Sequence, residues 1–178
     1  PARKAGPTAE VRFDDCYVPE AGRLGEEGDG FVQALKTLNG GRITIAARSV
    51  GIAQAALDAA TDYAGDREQF DQPIGDFQAI QHKIADMDTK TRAARLLMHD
   101  AADRKMRGER FRKEAAQAKL YASEVSREVA NEGIQIHGGY GYTKDFPAER
   151  FYRDAKLNEI YEGTSEVLRN TIADRMLD

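Results

Sequence analysis

Residues 31–63 read FVQALKTLNGGRITIAARSVGIAQAALDAATDY, and this stretch decides the fold. Phe31, Leu35, Leu38, Ile45, Ile52, Ala56, Ala60 and Tyr63 recur at spacings of three, four or seven, which puts them on one face of a single long helix. Gly65 supplies a stop, and Asp71-Gln72-Pro73 marks a turn. Asp76 is placed to cap a second helix whose face is Ile80, Ile84, Met87, Ala94, Met98 and Ala101, and Gly108 breaks it. A third helix shows Ala115, Ala118, Ala122, Val125, Val129 and Ile136, small residues that permit close helix approach. The segment from Gly138 to Pro147 is irregular, Pro147 opens a short helix carrying Phe151, and a last helix begins near Thr164. Long amphipathic helices joined by tight connections predict an all-α fold, an antiparallel four-helix bundle, over residues 29–178.

Residues 1–28 differ: they hold three of the five prolines. Ala9, Val11 and Phe13 alternate with Glu10 and Arg12, which predicts a short half-buried strand. A lone strand needs partners, so it either packs on the helices or belongs to a sheet that this chain lacks. The chain starts Pro1-Ala2-Arg3-Lys4, without an initiator Met and without signal-peptide character, and is expected to be one piece of a longer protein.

Composition narrows the function. The 178 residues include one cysteine, Cys16, so neither an intrachain disulfide nor a Cys-rich zinc site is available. Twenty-six Lys and Arg against 30 Asp and Glu give a net charge of −4, and the basic residues are scattered, which argues against nucleic acid as a partner. No apolar run approaches the ~20 residues of a membrane span. The expected location is the cytoplasm or a soluble organellar matrix, not the exterior.

Candidate functional residues lie where local rules break. Asn39-Gly40-Gly41-Arg42 interrupts the longest helix, although each Gly costs about 1 kcal/mol against Ala there. Either the helix kinks or crosses closely at this point, or missing side chains leave room for a ligand that Arg42 reaches. Gln135-Ile136-His137-Gly138-Gly139-Tyr140-Gly141 exposes backbone N–H groups after a helix, suited to a phosphate or a flat polar group, and matches neither Rossmann nor Walker spacing. His137 by itself reads as structural, and His82 and His99 as surface or core-edge residues. In Tyr161-Glu162-Gly163-Thr164-Ser165-Glu166, Thr164 or Ser165 is a ready N-cap. Glu162 either complements the helix dipole or, carried on a tight Glu-Gly turn, serves as a general base. Arg67-Glu68-Gln69-Phe70 is either a solvated turn or a holder for a phosphate and a ring.

In order and in gaps, several of these segments resemble the acyl-CoA dehydrogenase family. The resemblance rests on Arg67 to Phe70, Pro73-Ile74, Phe77-Gln78-Ala79-Ile80-Gln81, Ala85-Asp86-Met87, Gln135 to Gly139, Arg153-Asp154-Ala155 and Ile160 to Glu166. It covers the family's C-terminal helical domain from about Phe31 to Leu177, with the short-chain, butyryl-CoA-like branch closest. Residues 1–28 resemble the end of the family's middle β-domain and the link out of it.

The resemblance implies a flavoenzyme that binds FAD, oxidises an acyl-CoA thioester to the trans-2-enoyl-CoA and passes electrons to an electron-transfer flavoprotein. It implies Glu162 as catalytic base. Arg67, Gln69, Phe70, Gln78, Gln135, Gly138, Gly139, Thr164 and Glu166 fall at FAD positions, those from Gln135 to Gly139 commonly reaching the cofactor of a neighbouring subunit. Asn39, Gly40, Gly41, Arg42 and Gly163 fall at acyl-CoA positions; many members carry Asp where Asn39 stands. The isovaleryl and long-chain branches place their base at the position of Gly41, which cannot serve here. A homodimer or homotetramer is implied, and the isolated helical domain is expected to bind FAD weakly. An acyl-CoA oxidase of the same fold and a non-catalytic helical interaction module remain as other readings, with a related monooxygenase disfavoured by Glu162.

Overall fold

The computed structural model describes residues 9–177. The N-terminal tetrapeptide lies outside them. Five α-helices appear among the described residues: α1 Gly30–Asp66, α2 Gln78–Met106, α3 Arg112–His137, α4 Ala148–Asn158 and α5 Ser165–Leu177. The helical bundle predicted from periodicity is therefore formed. α1 packs most extensively on α3, α2 lies against both, α4 rests on α3 and α1, and α5 closes on α3.

The close approach follows from the side chains at the seam. Ala46, Ala53, Ala56 and Ala60 of α1 and Ala115, Ala118, Ala122 and Ala130 of α3 are all buried, while Val50, Leu57, Met87, Val125, Val129 and Ile136 fill the space between the axes. At Gly133 a Cβ would come within 3.6 Å of the Ala56 carbonyl, so the helices nearly touch through backbone there. Polar cross-links hold α2 on α3 outside this core: Lys83 pairs with Glu132, and Lys90 with Glu128 at 2.5 Å.

Two local expectations are corrected. Ala9, Val11 and Phe13 form no strand; the segment is exposed, and among the described residues no second strand lies beside it to complete a ladder. Asp76 does not cap α2. It is the exposed last residue of a half-buried 3₁₀ turn, Ile74–Asp76, and Phe77 occupies the cap position without a side-chain bond. α1 ends at Asp66, beside Gly65 as expected, and Arg67 turns extended into a hairpin. That hairpin pairs β1 (Glu68–Gln69) with β2 (Gln72–Pro73) in antiparallel register, Gln69 opposite Gln72. Phe70 and Asp71, at φ 57° and 63°, form its two-residue tip in the left-handed region that the strand twist demands.

Candidate active site

One end of the bundle is built around the segment between α4 and α5. Its residues are fastened into the helices nearly one by one. Arg48 of α1 donates to Asn158 Oδ1 at 2.9 Å and to the Tyr161 hydroxyl at 2.5 Å. Glu159 accepts from Arg127 of α3 and from Lys156, each at 2.5 Å. Burial works to raise the Glu159 carboxyl, and these two cations overcome it, leaving the group below the usual carboxylate range. Thr164 caps α5, its Oγ1 accepting from the Val167 N–H at 3.4 Å. Glu166 is exposed in the first turn; its own backbone N–H and then the Thr164 hydroxyl hold its carboxyl low.

Between these anchors the chain turns sharply. Glu162 and Gly163 have φ of 57° and 101°, two successive residues in the left-handed region. Glycine takes this conformation freely, whereas for Glu it costs about 1–2 kcal/mol. The turn lays the Glu162 side chain over the glycine interruption of α1. A Cβ placed on Gly41 would stand 2.5 Å from Glu162 Oε2 and 3.1 Å from its Cδ. α1 runs through the interruption unbroken. The interruption is the space into which a carboxylate fits. Oε2 is buried and has no hydrogen-bond partner.

The backbone of the turn is held from below by two cations. Arg42 Nε donates to the Glu162 carbonyl at 3.4 Å, and Arg42 Nη1 to Asn39 Oδ1 at 3.1 Å. Arg42 is buried and so points inward. Burial first, then the charge of Arg112, lowers its pKa from the ordinary value, with Glu162 opposing. Lys119 of α3 has no exposed surface, and its Nζ donates to the Gly163 carbonyl at 2.6 Å. Burial and the nearby Arg42 push its pKa down to about 8, against Glu159, Glu162 and Glu124. Lys119 was not singled out from the sequence, although it sits in phase with buried Ala115, Ala122 and Ser126.

Asn39 also borders a basic groove of about 890 Å³ at the α2–α3 connection, lined by Arg104, Arg110, Phe111, Arg112 and Lys113 among others. Gly40 faces Lys105, whose Nζ would lie 3.0 Å from a Cβ there.

The remaining candidates gather at the opposite end. From Gly41 to Tyr63, α1 rises about 33 Å at 1.5 Å per residue. There a groove of about 530 Å³ is lined by Tyr63, Arg67, Gln69, Ile74, His137, Gly138, Gly139 and Tyr140, among others. Nothing lies within 4 Å of a Cβ built on Gly138 or Gly139, so both present bare backbone to open space. Arg67 sits over the Tyr140 ring at 5.6 Å, Gln135 is exposed on the last turn of α3, Phe70 stands exposed on the hairpin tip, and Gln78 is exposed at the start of α2. An arginine, amides, open glycines and an aromatic fit the phosphate and ring of a nucleotide cofactor. His137 is structural, as expected: its Nδ1 pairs with the Gly133 carbonyl at 2.7 Å and its ring stacks on Tyr63 at 4.4 Å. The described residues contain no group of three or more His, Cys, Asp or Glu that could hold a metal, and no helix long and apolar enough to cross a membrane.

Comparison with known proteins agrees with the fold. Residues 28–177 match the family model described as acyl-CoA dehydrogenase, C-terminal domain. An acyl-CoA dehydrogenase of Bacillus subtilis is 52% identical over 96% of this chain and 45% of its own length. An acryloyl-CoA reductase (NADH) of Anaerotignum propionicum is also 52% identical, over 96% of this chain and 43% of its own. The structure of butyryl-CoA dehydrogenase from Megasphaera elsdenii superposes with a TM-score of 0.92 at 47% identity, covering 93% of this chain and 43% of that one. The chain thus spans less than half the length of these relatives. With the helical bundle, the motifs in register and the family model all concurring, the chain belongs to the acyl-CoA dehydrogenase family, within its C-terminal helical domain.

Proposed function

We propose that the protein, in its complete form, catalyses FAD-dependent α,β-dehydrogenation of an acyl-CoA thioester to the trans-2-enoyl-CoA, with Glu162 removing the α-proton. The observation that carries this reading is the Glu162 carboxylate, with Oε2 buried and unpartnered, mounted on a left-handed turn beside a glycine gap. A carboxylate kept only to complement the α5 dipole would point at the helix N–H groups or at water. This one is held over α1 by cations that bind its backbone and leave Oε2 free.

In this reading a substrate α-carbon lies against the Glu162 carboxylate, which takes the proton as charge develops on the thioester carbonyl. The Glu162 N–H donates to that carbonyl, and the tight Glu162-Gly163 turn lets the backbone come close. Gly41 gives its space to the carboxylate, and Asn39, Gly40, Arg42 and Gly163 border the acyl-CoA beside it. FAD, when bound, accepts the hydride released from the β-carbon. Thr164 and Glu166 adjoin the base and meet the cofactor there. Arg67, Gln69, Phe70, Gln78, Gln135, Gly138 and Gly139, about 33 Å away along α1, meet the cofactor carried by a second copy, which supports a homodimer or homotetramer. Residues 1–28 are proposed as the end of the middle β-domain, and an electron-transfer flavoprotein as the electron acceptor.

The test is anaerobic mixing of the complete, FAD-loaded protein with butyryl-CoA. The wild type should bleach the flavin, and Glu162→Gln should bleach at least about 100-fold more slowly. Bleaching by Glu162→Gln at the wild-type rate would remove the assignment. Turnover in air without an added electron carrier would mark an oxidase instead. The Anaerotignum relative's name favours one further possibility, the same site run in the reducing direction; enoyl-CoA reduction with NADH and an electron carrier would display it.

A further inference from the structure

Lys119 alone among the charged residues of α3 is buried. A lysine ammonium taken out of water needs a strong reason, because an apolar side chain of similar volume would serve a purely structural role as well or better. Its bond is spent on one atom, the carbonyl oxygen of Gly163, at 2.6 Å. That residue is the second of the left-handed pair, and the first is Glu162. The neighbouring carbonyl, that of Glu162, has the longer 3.4 Å bond from Arg42. The short bond from Lys119 is thus the stronger grip on a turn that its own conformational preference would open.

We propose that Lys119 is a positioning residue for Glu162: by donating to the Gly163 carbonyl it holds the left-handed turn that lays the Glu162 carboxylate over Gly41. This rests on the reading of Glu162 as the base. Lys119 does not touch substrate; it acts through the backbone. Its lowered pKa accords with this placement: burial lowers it most and the facing Arg42 adds to that, while Glu159, Glu162 and Glu124 only partly compensate. The neutral amine, like the ammonium, retains N–H donors.

The test compares the complete, FAD-loaded wild type with Lys119→Met and Lys119→Gln. Methionine fills nearly the same space and offers no donor; glutamine retains a donor at shorter reach. For Lys119→Met, butyryl-CoA should bleach the flavin about 100-fold more slowly, with the thioester Kd changed by less than about threefold. Lys119→Gln should recover part of the loss. A second readout needs no turnover: backbone amide exchange in residues 159–166 should quicken about tenfold or more while the cores of α1 and α3 keep their protection. Should Lys119→Met not fold, the same rate-against-affinity split and the same exchange are read on Lys119→Gln. Bleaching within about threefold of wild type, or unchanged protection of residues 159–166, would overturn the proposal. Slow bleaching by Glu162→Gln beside fast bleaching by Lys119→Met would sink Lys119's role alone; fast bleaching by both would sink the base as well.

Discussion

Glu162 and Gly41, on different elements and 121 positions apart in the chain, are fitted to one another: the carboxylate occupies the volume that any side chain at 41 would need, with Oε2 2.5 Å from a virtual Cβ. The atom in the way is the far end of a flexible side chain, so Gly41→Ala is expected to fold and to push the carboxylate aside. A displacement on the order of 1 Å should cost about 100-fold in the rate of flavin bleaching. FAD content and thermal midpoint should stay close to wild type, and stopped-flow measurement with butyryl-CoA reads the difference.

The depressed Lys119 pKa makes stability depend on pH in a defined direction. In the folded chain the amine loses its proton near pH 8, while in the unfolded chain it does so near the ordinary value of 10.5. Between these values the unfolded state binds more protons, so stability rises with pH across that window. Below about pH 8 both states are protonated and burial of the charge weighs fully against folding. The difference in Tm between wild type and Lys119→Met should therefore change steadily from pH 8 to pH 10, shifting toward the wild type, and be flat from pH 6 to pH 7.5. Subtracting the two curves removes the tyrosines they share.

Gly141 answers for the turn after α3. A Cβ there would lie 2.7 Å from the Ile134 carbonyl oxygen, 2.8 Å from the His137 Cβ and 3.0 Å from the Ile134 Cα, most of it backbone that cannot yield. Gly141→Ala should destabilise the protein by about 1–3 kcal/mol, a fall of about 2–12 °C in Tm by thermal denaturation. Gly139→Ala, which meets nothing within 4 Å, is the control and should leave Tm near wild type.

Arg67 separates cofactor retention from base chemistry. Arg67→Ala removes the guanidinium at the far groove and leaves the Glu162 turn untouched. Loss of a charged hydrogen bond to a phosphate should weaken FAD binding about 10- to 100-fold, measured as cofactor lost on dilution. Variant refilled with excess FAD should bleach at close to the wild-type rate.

The bundle was legible because α2 and α3 bury the predicted face at helical spacing, whereas in α1 the period gave the helix but not its inner face: Phe31 and Leu35 are exposed, and the buried stripe runs through Ile43, Ala46, Val50, Ala53 and Leu57 beside Ala56 and Ala60. The Glu162-Gly163 turn was legible from residue type: a glycine beside a Glu before a ready cap. Ala9, Val11 and Phe13 misled because alternation records a pattern and not a neighbour. Asp76 misled because a cap residue before a helix competes with the 3₁₀ turn that ends on it. Lys119 was missed because lysine is ordinarily read as solvent-facing. Its phase with Ala115, Ala122 and Ser126 was the available warning, but the partner that justifies it is a carbonyl 44 positions away, which no helical period reports. Similarly, nothing in the local sequence says that Arg67 and Glu162 stand far apart; the unbroken run of α1 from Gly41 to its end at Asp66 separates them.

An amine with a pKa of about 8 is partly free base near neutrality, and free amines attack thioesters. Beside the proposed thioester site, such a side chain would be the first to suffer self-inflicted acylation. Sealed beneath the Gly163 carbonyl with no exposed surface, it is shielded from that fate. Prolonged incubation with excess thioester should mark outward lysines such as Lys36 and Lys144 and spare Lys119, so the same burial that depresses its basicity also preserves it from chemical wear.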